Sequence, residues 1–419
     1  MAEISTTPGT HHDRLSRLAD FLVIAIAVSL PWSTSATSIL VVLWLVALVP
    51  SLDWGELRRV LATPAGGLPV LLAALGAAGM LWGDVSLSER WNGMDSFLKL
   101  LALPLLLTQF RRSGRGEDVF GGYLVSCVVL LLVSTLVQAF HPFSLTLHPP
   151  PNEVLVKNAA TQSGEFVTCI FGLLFLAGDA AERRIWSRLF VFAMIMLAML
   201  ANMLYVATGR TALAIIPVLL VLFAARKLNV KTIGILFSAA ALVGAIAWYS
   251  SPYLRGRAGD VFRDLQSYQA AQTVTSSGER LVFWTKSLDF MRQAPLIGHG
   301  TGSIRGLFEK SAAGQKGAAG EASANPHNQT LAVGIQLGAI GVALLWAMWI
   351  AHLLLFRGNT LAEWIGLVVV VQNIVGSLFN SHLFDFLQGW TYVVGVGVAG
   401  GLALKAIRAG DKAGSNGPR

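Results

Sequence analysis

Three side chains in this sequence are suited to holding an anion or moving a proton at a membrane boundary: Arg210, Arg280 and His327. Arg210 lies in Thr208-Gly209-Arg210-Thr211, a tight turn between two apolar runs, where the glycine lets a ligand approach the backbone closely. A single arginine at such a place also reads as an interfacial side chain snorkelling to water. Arg280 opens an amphipathic stretch four residues before Trp284, so both project from one side of a helix. Alone it reads equally as a solvated surface charge. As a pair, the two guanidiniums make a diphosphate clamp, because each fork binds phosphate oxygens bidentately and keeps its charge. His327, in Pro326-His327-Asn328-Gln329, opens a later apolar run. An imidazole at a helix start, near cations, stays unprotonated and can act as a base; a polar interfacial cap is the alternative.

A second set of polar residues lies near the same boundary. Lys99 stands in an apolar helix with no partner nearby in sequence, and Lys157, Asn158, Gln162 and Glu165 crowd the start of another. These residues can line a polar cavity, although a snorkelling role serves Lys99 as well. Asp385, in Asn380-Ser381-His382-Leu383-Phe384-Asp385, can orient His327 or pair with an arginine. Asn328 follows the histidine and joins the substrate-binding candidates. His11 and His12 read as tail residues, His352 and His382 as boundary residues, and His299, between two glycines, is open. The outer loops hold no Asp-x-Asp pair, and the chain has no P-loop, no Gly-x-Ser-x-Gly and no histidines at metal spacing. No metal site and no cofactor are expected. Cys127 and Cys169 both sit in apolar runs, so no disulfide is expected either.

The elements that must position these groups are membrane helices. The chain is 54% hydrophobic and only 13% charged over 419 residues, which excludes a water-soluble fold. The net charge of +8 is dealt out between apolar segments instead of forming a patch, so nucleic acid is not an expected partner. Apolar runs long enough for a bilayer core of about 30 Å recur. About twelve transmembrane helices are expected, at 18–33, 36–52, 65–82, 96–110, 119–140, 161–178, 187–207, 210–225, 231–250, 328–356, 361–380 and 384–406. The first shows no small-residue cleavage site and is expected to be retained. Lysine and arginine crowd alternate loops, as at Arg58-Arg59, Arg111-Arg112, Arg183-Arg184 and Arg226-Lys227. By the positive-inside rule those loops and both termini are cytoplasmic. No inverted repeat relates the two halves, which weakens a transporter architecture.

This gives nine helices over residues 1–250, an outward-facing loop domain over 251–327, three helices over 328–407 and a cytoplasmic tail over 408–419. The first part of the loop reads as polar and helical. Within it Ser276 and Glu279 form a capping box, and Leu281, Trp284, Leu288 and Met291 make an apolar stripe suited to a helix lying on the membrane surface. That helix should end at Pro295 and the turn Gly298–Gly302. Residues 311–324, rich in glycine and alanine, read as a slack tether.

The order Gly209-Arg210-Thr211, Ser277-Gly278-Glu279-Arg280-Leu281-Val282-Phe283-Trp284, Pro295-Leu296-Ile297-Gly298-His299-Gly300 and Pro326-His327-Asn328 followed by Gly338 resembles the O-antigen ligase family. The resemblance spans roughly residues 150 to 390. It implies a GT-C-like, all-helical fold, and transfer of O-antigen polysaccharide from undecaprenyl diphosphate to a sugar of lipid A-core. Transfer would take place at the periplasmic face of a bacterial inner membrane, without metal or nucleotide sugar. His327 matches the family's essential histidine and would be the base; Arg210 and Arg280 match its two arginines and would hold the donor diphosphate. Direct displacement at the anomeric carbon would invert its configuration. Lys157, Gln162 and Asp385 match less clearly, and the glycine-rich segment before His327 does not align. O-antigen polymerases and protein O-oligosaccharyltransferases use the same donor with similar residues and remain the alternatives. A secondary transporter would explain the helix count, but would place its ionisable residues near the bilayer midplane.

Overall fold

The computed structural model describes residues 11–140, 156–207, 209–250, 255–256, 276–315 and 317–415. The part of the loop over 257–275, expected to be helical, lies outside them, as does Thr208. The described residues are all helical or irregular, and helices lie along the expected apolar stretches, with 96–110 divided between two of them. Through the first part of the chain these are α1 His11–Ser29, α2 Thr34–Leu48, α3 Trp54–Leu61, α4 Pro64–Gly79, α5 Leu87–Leu98, α6 Ala102–Arg112, α7 Gly116–Phe140, α8 Ala159–Glu182, α9 Trp186–Tyr205, α10 Arg210–Lys227 and α11 Val230–Ser250. After the loop come α12 Ser276–Gln293, α13 Ser303–Ala312, α14 Gln329–Leu355, α15 Leu361–Gly376 and α16 Phe386–Ser415. Among the described residues seven helices are long and apolar enough to cross a membrane, or eight if α3 and α4, bent by 83°, form one span. The chain is a multi-pass membrane protein. Large side chains such as Ile39, Val46, Phe190 and Ile235 stand exposed on its flanks, which only a lipid environment tolerates at this density.

Side-chain contacts sort the loops into two faces. On one, Arg111 pairs with the buried Glu56 at 2.6 Å and Arg112 reaches Asp53 at 3.5 Å. Lys405 donates to the Ser113 carbonyl, Arg226 to that of Phe356 and Lys227 to that of Asn359. These are the loops rich in lysine and arginine. On the other face, Thr301 meets the end of α4, Lys157 donates to the Leu30 carbonyl, and Lys99 donates to the carbonyls of Phe384 and Asp385. Arg210 and His327, at the starts of α10 and α14, share this second face.

Two expectations are corrected here. The segment around Lys99 is no continuous span: α5, an amphipathic helix closed by a Ser86–Glu89 capping box, precedes a 3-10 turn at Lys99–Leu101 before α6 begins. The tether is not slack throughout. Its first residues belong to α13, Gly317–Gly320 form a 3-10 turn, and Lys286 on α12 donates to the Ala319 carbonyl at 2.6 Å. The capping box at Ser276 rests on a side chain outside the described ones, while the helix after it is present.

What fixes the loop domain to the bundle is a break in α14. Gly338 has φ +61, so the carbonyls of Ile335 and Gln336 lose the amides of Ala339 and Ile340 that a regular helix would give them. The turn after α12 replaces both: His299 N–H donates to Ile335 O at 2.8 Å and Gly300 N–H to Gln336 O at 2.9 Å. The freed amides are taken up in return, Ala339 N–H by Pro295 O at 2.8 Å and Ile340 N–H by Leu296 O at 3.2 Å. The approach demands glycine on both sides. A Cβ on Gly298 would stand 2.5 Å from the Gln336 carbonyl carbon, and one on Gly338 2.4 Å from that of Leu296.

Gly300 tests how far this packing matters, because its φ is +89 and a Cβ there would lie 2.4 Å from Gly83 Cα. Gly300→Ala should cost about 3 kcal/mol or more, a left-handed penalty of roughly 1–2 kcal/mol plus overpacking of about 1–3 kcal/mol. Gly314, with φ +76 and open space around it, should lose only the first part on Gly314→Ala. Thermal unfolding in detergent compares the two; equal losses would mean that the turn is not tightly packed against α4.

Candidate functional site

His327 is held by neighbours on three sides. Its backbone is left-handed, φ +54, which costs a residue with a side chain on the order of 1–2 kcal/mol. Asn325 secures it: its Oδ1 accepts the His327 N–H at 2.8 Å, an Asx turn closed around Pro326, and also the Ser381 hydroxyl at 2.7 Å. On one flank the imidazole stacks on Phe283 of α12, ring centroids 6.2 Å apart at 27°. Phe283 is in turn braced edge-on by Phe308 of α13 at 5.4 Å, and Phe308 by Phe290 at 5.3 Å. Packing of this kind contributes about 0.5–1.5 kcal/mol per pair beyond burial. The buried face of α12 is therefore Phe283–Ser287–Phe290, while Leu281 and Leu288 of the stripe read from sequence are exposed.

The third neighbour is Asn380, and it decides the tautomer. Asn380 Nδ2 donates to Asp385 Oδ2 at 2.7 Å; an ionised carboxylate can only accept, so the amide oxygen must face the other way. That oxygen receives Asn325 Nδ2 at 2.9 Å and lies 3.1 Å from His327 Nδ1. Nδ1 therefore carries the proton and donates, which leaves the Nε2 lone pair free. Lys99 anchors the far end of this chain of hydrogen bonds, its Nζ donating to the carbonyls of Phe384 and Asp385 at 3.0 Å each. It is buried, so the snorkelling alternative falls away. Asp385 meets Asn380 and not an arginine. Asn328 caps α14, its Oδ1 accepting Leu331 N–H at 3.2 Å.

The two arginines approach from other elements. Arg210 begins α10 and is exposed; Arg280 lies in the first turns of α12 and is half-buried. Burial first, and the positive charge of Arg210 second, lower the Arg280 pKa. The His327 pKa is lowered chiefly by burial; the hydrogen bond to Asn380 opposes this, the Arg280 charge adds to it, and Glu279 opposes it. Arg280 thus lies within electrostatic reach of both Arg210 and His327. Neither guanidinium makes a hydrogen bond or ion pair among the described residues. Two like charges within reach of each other without such a partner make a candidate anion site. One turn beyond Arg280, the buried Trp284 indole N–H has no acceptor.

Other sequence candidates fall elsewhere. Gln162 spends its amide on Ser134 and Asn202 inside the bundle, and Lys157 is turned to the end of α1, its pKa pushed down to about 8 chiefly by burial. His299 Nε2 donates to the Phe290 carbonyl at 2.8 Å and so closes the end of α12. His352, expected at a boundary, is instead fully buried between the Tyr392 hydroxyl and the Ala65 carbonyl. Both cysteines are buried and free. Among the described residues no group of three or more histidine, cysteine or carboxylate side chains is placed to hold a metal. Sequence reading passed over Asn325, Asn380 and Phe283. The Asn-Pro-His spacing was a usable signal, because an asparagine two residues before a strained position is the pattern of an Asx turn.

Residues 195–346 match the family model for O-antigen ligase. This segment is similar to an O-antigen ligase domain. The matched segment contains Arg210, Arg280 and His327, the broken helix α14 up to Trp346, and the glycine-rich turn packed on it. The activity class that accompanies such a domain is ligase- or polymerase-type glycosyl transfer. No curated protein matches the chain.

If the charges act on each other as their arrangement requires, Arg280→Gln should let the His327 imidazole titrate at a higher pH than in the unaltered protein, because one of the causes lowering its pKa is gone. Carbon-13 NMR of histidine-labelled protein in detergent reads this, with His327→Gln assigning the signal. An unchanged midpoint would show that the two groups do not sense each other.

Proposed function

We propose that this protein is an O-antigen ligase that transfers polysaccharide from undecaprenyl diphosphate to a hydroxyl of lipid A-core. The observation that carries the reading is the pairing of a fixed lone pair, His327 Nε2, with two uncompensated guanidiniums at the same end of the helix bundle. By the lysine and arginine content of the opposite loops, that end faces the periplasm of a Gram-negative inner membrane, with both termini cytoplasmic.

The acceptor hydroxyl gives its proton to His327 Nε2 as its oxygen attacks the anomeric carbon of the donor. The bond from that carbon to the diphosphate oxygen breaks, and the electron pair leaves with the diphosphate. Arg280 and Arg210 hold that group and stabilise the charge growing on it, and attack from the opposite side inverts the configuration. The Trp284 indole N–H supplies a further donor beside them. Asp385, through Asn380, keeps the Nδ1 proton in place and steadies the imidazolium that forms; Asn380 and Asp385 position the base and do not touch substrate. The low pKa of His327 serves the same end, keeping the base neutral at physiological pH. No step in this sequence calls for a metal or a nucleotide. A polymerase or an O-oligosaccharyltransferase would run the same chemistry with another acceptor. The ligase is preferred because the sequence resemblance is to that branch.

Reconstitution with lipid-linked O-antigen and lipid A-core, without nucleotide or metal, tests this. His327→Ala should lower transfer by about 10²–10⁴-fold, the usual contribution of a general base, while the protein still inserts. Arg210→Ala and Arg280→Ala should each weaken use of the donor, and EDTA should change nothing. Full transfer by His327→Ala would rule the mechanism out, as would loss with EDTA restored by a divalent ion for the metal-free claim. Longer donor chains in place of capped lipid A-core would move the assignment to a polymerase.

The supporting hydrogen bonds have a separate signature. Asn380→Ala should lower transfer by about tenfold or more and shift its acidic pH limb, because the hydrogen bond that raises the His327 pKa is removed. With that cause gone the limb should move to lower pH. Asn380→Gln should recover part of the rate. A pH profile identical to that of the unaltered protein would show that Asn380 fills space and nothing more.

A further inference from the structure

Beside the segment that carries the histidine lies a cavity of about 300 Å³ with a mixed polar and apolar lining. This is at the lower end of the roughly 300–1,000 Å³ of small-molecule sites. Its walls come from α5, the start of α13, the Ala324–Pro326 segment and the loop before α16, and they include Glu89, Asn92, Ser96, Arg305, Asn325 and Asp385. Asn325 and Asp385 belong to the hydrogen bonds that position His327, so the cavity is separated from the base by a single layer of side chains.

The chemistry of the walls selects its occupant. The one guanidinium, Arg305, is paired with Glu309 at 2.8 Å, and Glu89 and Asp385 contribute carboxylates, so the cavity offers an anion no free cation. Amides and a hydroxyl from Asn92, Ser96 and Asn325 offer donors and acceptors side by side, which suits vicinal hydroxyl groups. Phe384 also lines it, held edge-on by Phe97 at 4.8 Å, and provides an apolar platform for the face of a ring. The walls are preformed: a Cβ on Gly93 would lie 2.5 Å from the Gly302 amide, so α5 and the glycine turn are in close contact.

The geometry points to this cavity as a subsite for an uncharged, hydroxyl-rich sugar ring, the one flanking the reacting hydroxyl on the acceptor. The inference rests on the reading of the chain as a ligase and assigns the two substrates to different walls around His327: the diphosphate to the arginines, the acceptor glycan to the cavity lined by Asn325 and Asp385.

Protection of a thiol placed in the cavity tests this without requiring turnover. Cys127 and Cys169 are fully buried, so Ser96→Cys adds the one thiol expected to react with a polar maleimide in the full-length protein in detergent. Core oligosaccharide released from lipid A should slow its alkylation at least threefold, inorganic diphosphate should not, and His327→Ala in the same background should leave the protection intact. No protection by the oligosaccharide, or equal protection by diphosphate, overturns the subsite. Asn92→Ala provides the kinetic counterpart, raising the acceptor KM about fivefold or more with the donor KM unchanged; an unchanged acceptor KM, or a shift in the donor KM alone, counts against it. If the unaltered protein transfers nothing to lipid A-core while the oligosaccharide still protects Cys at position 96, the ligase reading fails and the sugar subsite stands.

Discussion

A backbone buried among helices in lipid must satisfy every amide and carbonyl from within the protein, because there is no water to do so. The rest of this site depends on how the break at Gly338 meets that demand. Two carbonyls and two amides set free in α14 are exchanged with the turn after α12, four hydrogen bonds between 2.8 and 3.2 Å. They fix where α12 ends relative to α14. Because Arg280 and Phe283 lie on α12 and His327 just before α14, the same four bonds set the relation of the anion site to the base. The turn is secured from a second direction by Thr301, whose amide and hydroxyl reach the Gly79 and Gly76 carbonyls of α4.

A rigid frame allows a strained, charged site to persist. His327 holds a left-handed conformation, Arg280 feels the charge of Arg210 with no ion pair among the described residues, and the Trp284 N–H is unpaired; each feature costs free energy. None of them contributes to folding, and in the proposed reaction the guanidiniums and the indole N–H would gain partners when the diphosphate binds. The elements beneath do the opposite. Phe283, Phe290 and Phe308 interlock at 5.3–5.4 Å, Asn325 bonds both the His327 backbone and Ser381, and Lys99 is tied to two carbonyls next to Asp385. Stability concentrated in the support and strain concentrated at the reacting groups is what preorganised electrostatic catalysis requires.

Much of this was legible in the sequence, and the reason is physical. Lipid demands long apolar runs, so the expected stretches fell on helices except around Lys99, and unpaired guanidiniums at a boundary are expensive enough to stand out, so Arg210 and Arg280 did. The supporting residues were not legible in the same way. Asn380 acts 53 positions from His327 and Lys99 acts 285 from Phe384, distances at which sequence carries no periodic signal. The helix α5 was missed because it is amphipathic and polar, with neither the length of a span nor the turn residues of a loop. Lys157 and Gln162 were misplaced for the converse reason: a polar residue at a span entrance reads the same whether it faces a substrate or closes a helix contact, and here Ser134, Asn202 and Leu30 claim them.

The position of His327 between two regions of opposite charge follows from the same topology. The arginines come from α10 and α12, the carboxylates Glu89 and Asp385 from α5 and the loop before α16, and the histidine from the segment joining the loop domain to α14. A base that served one substrate alone would need only one such wall. In the proposed reaction the diphosphate meets guanidiniums on one wall and the carboxylates of Glu89 and Asp385 on the other, so its wrong-way binding is disfavoured before any contact with the base is made. Asp385 belongs to both arrangements, since one carboxylate oxygen fixes the tautomer of the base through Asn380 while the residue also lines the acidic cavity. On the proposed reading, occupancy of that cavity bears directly on the group that sets the proton on Nδ1, so acceptor binding and activation of the base would act through a shared side chain.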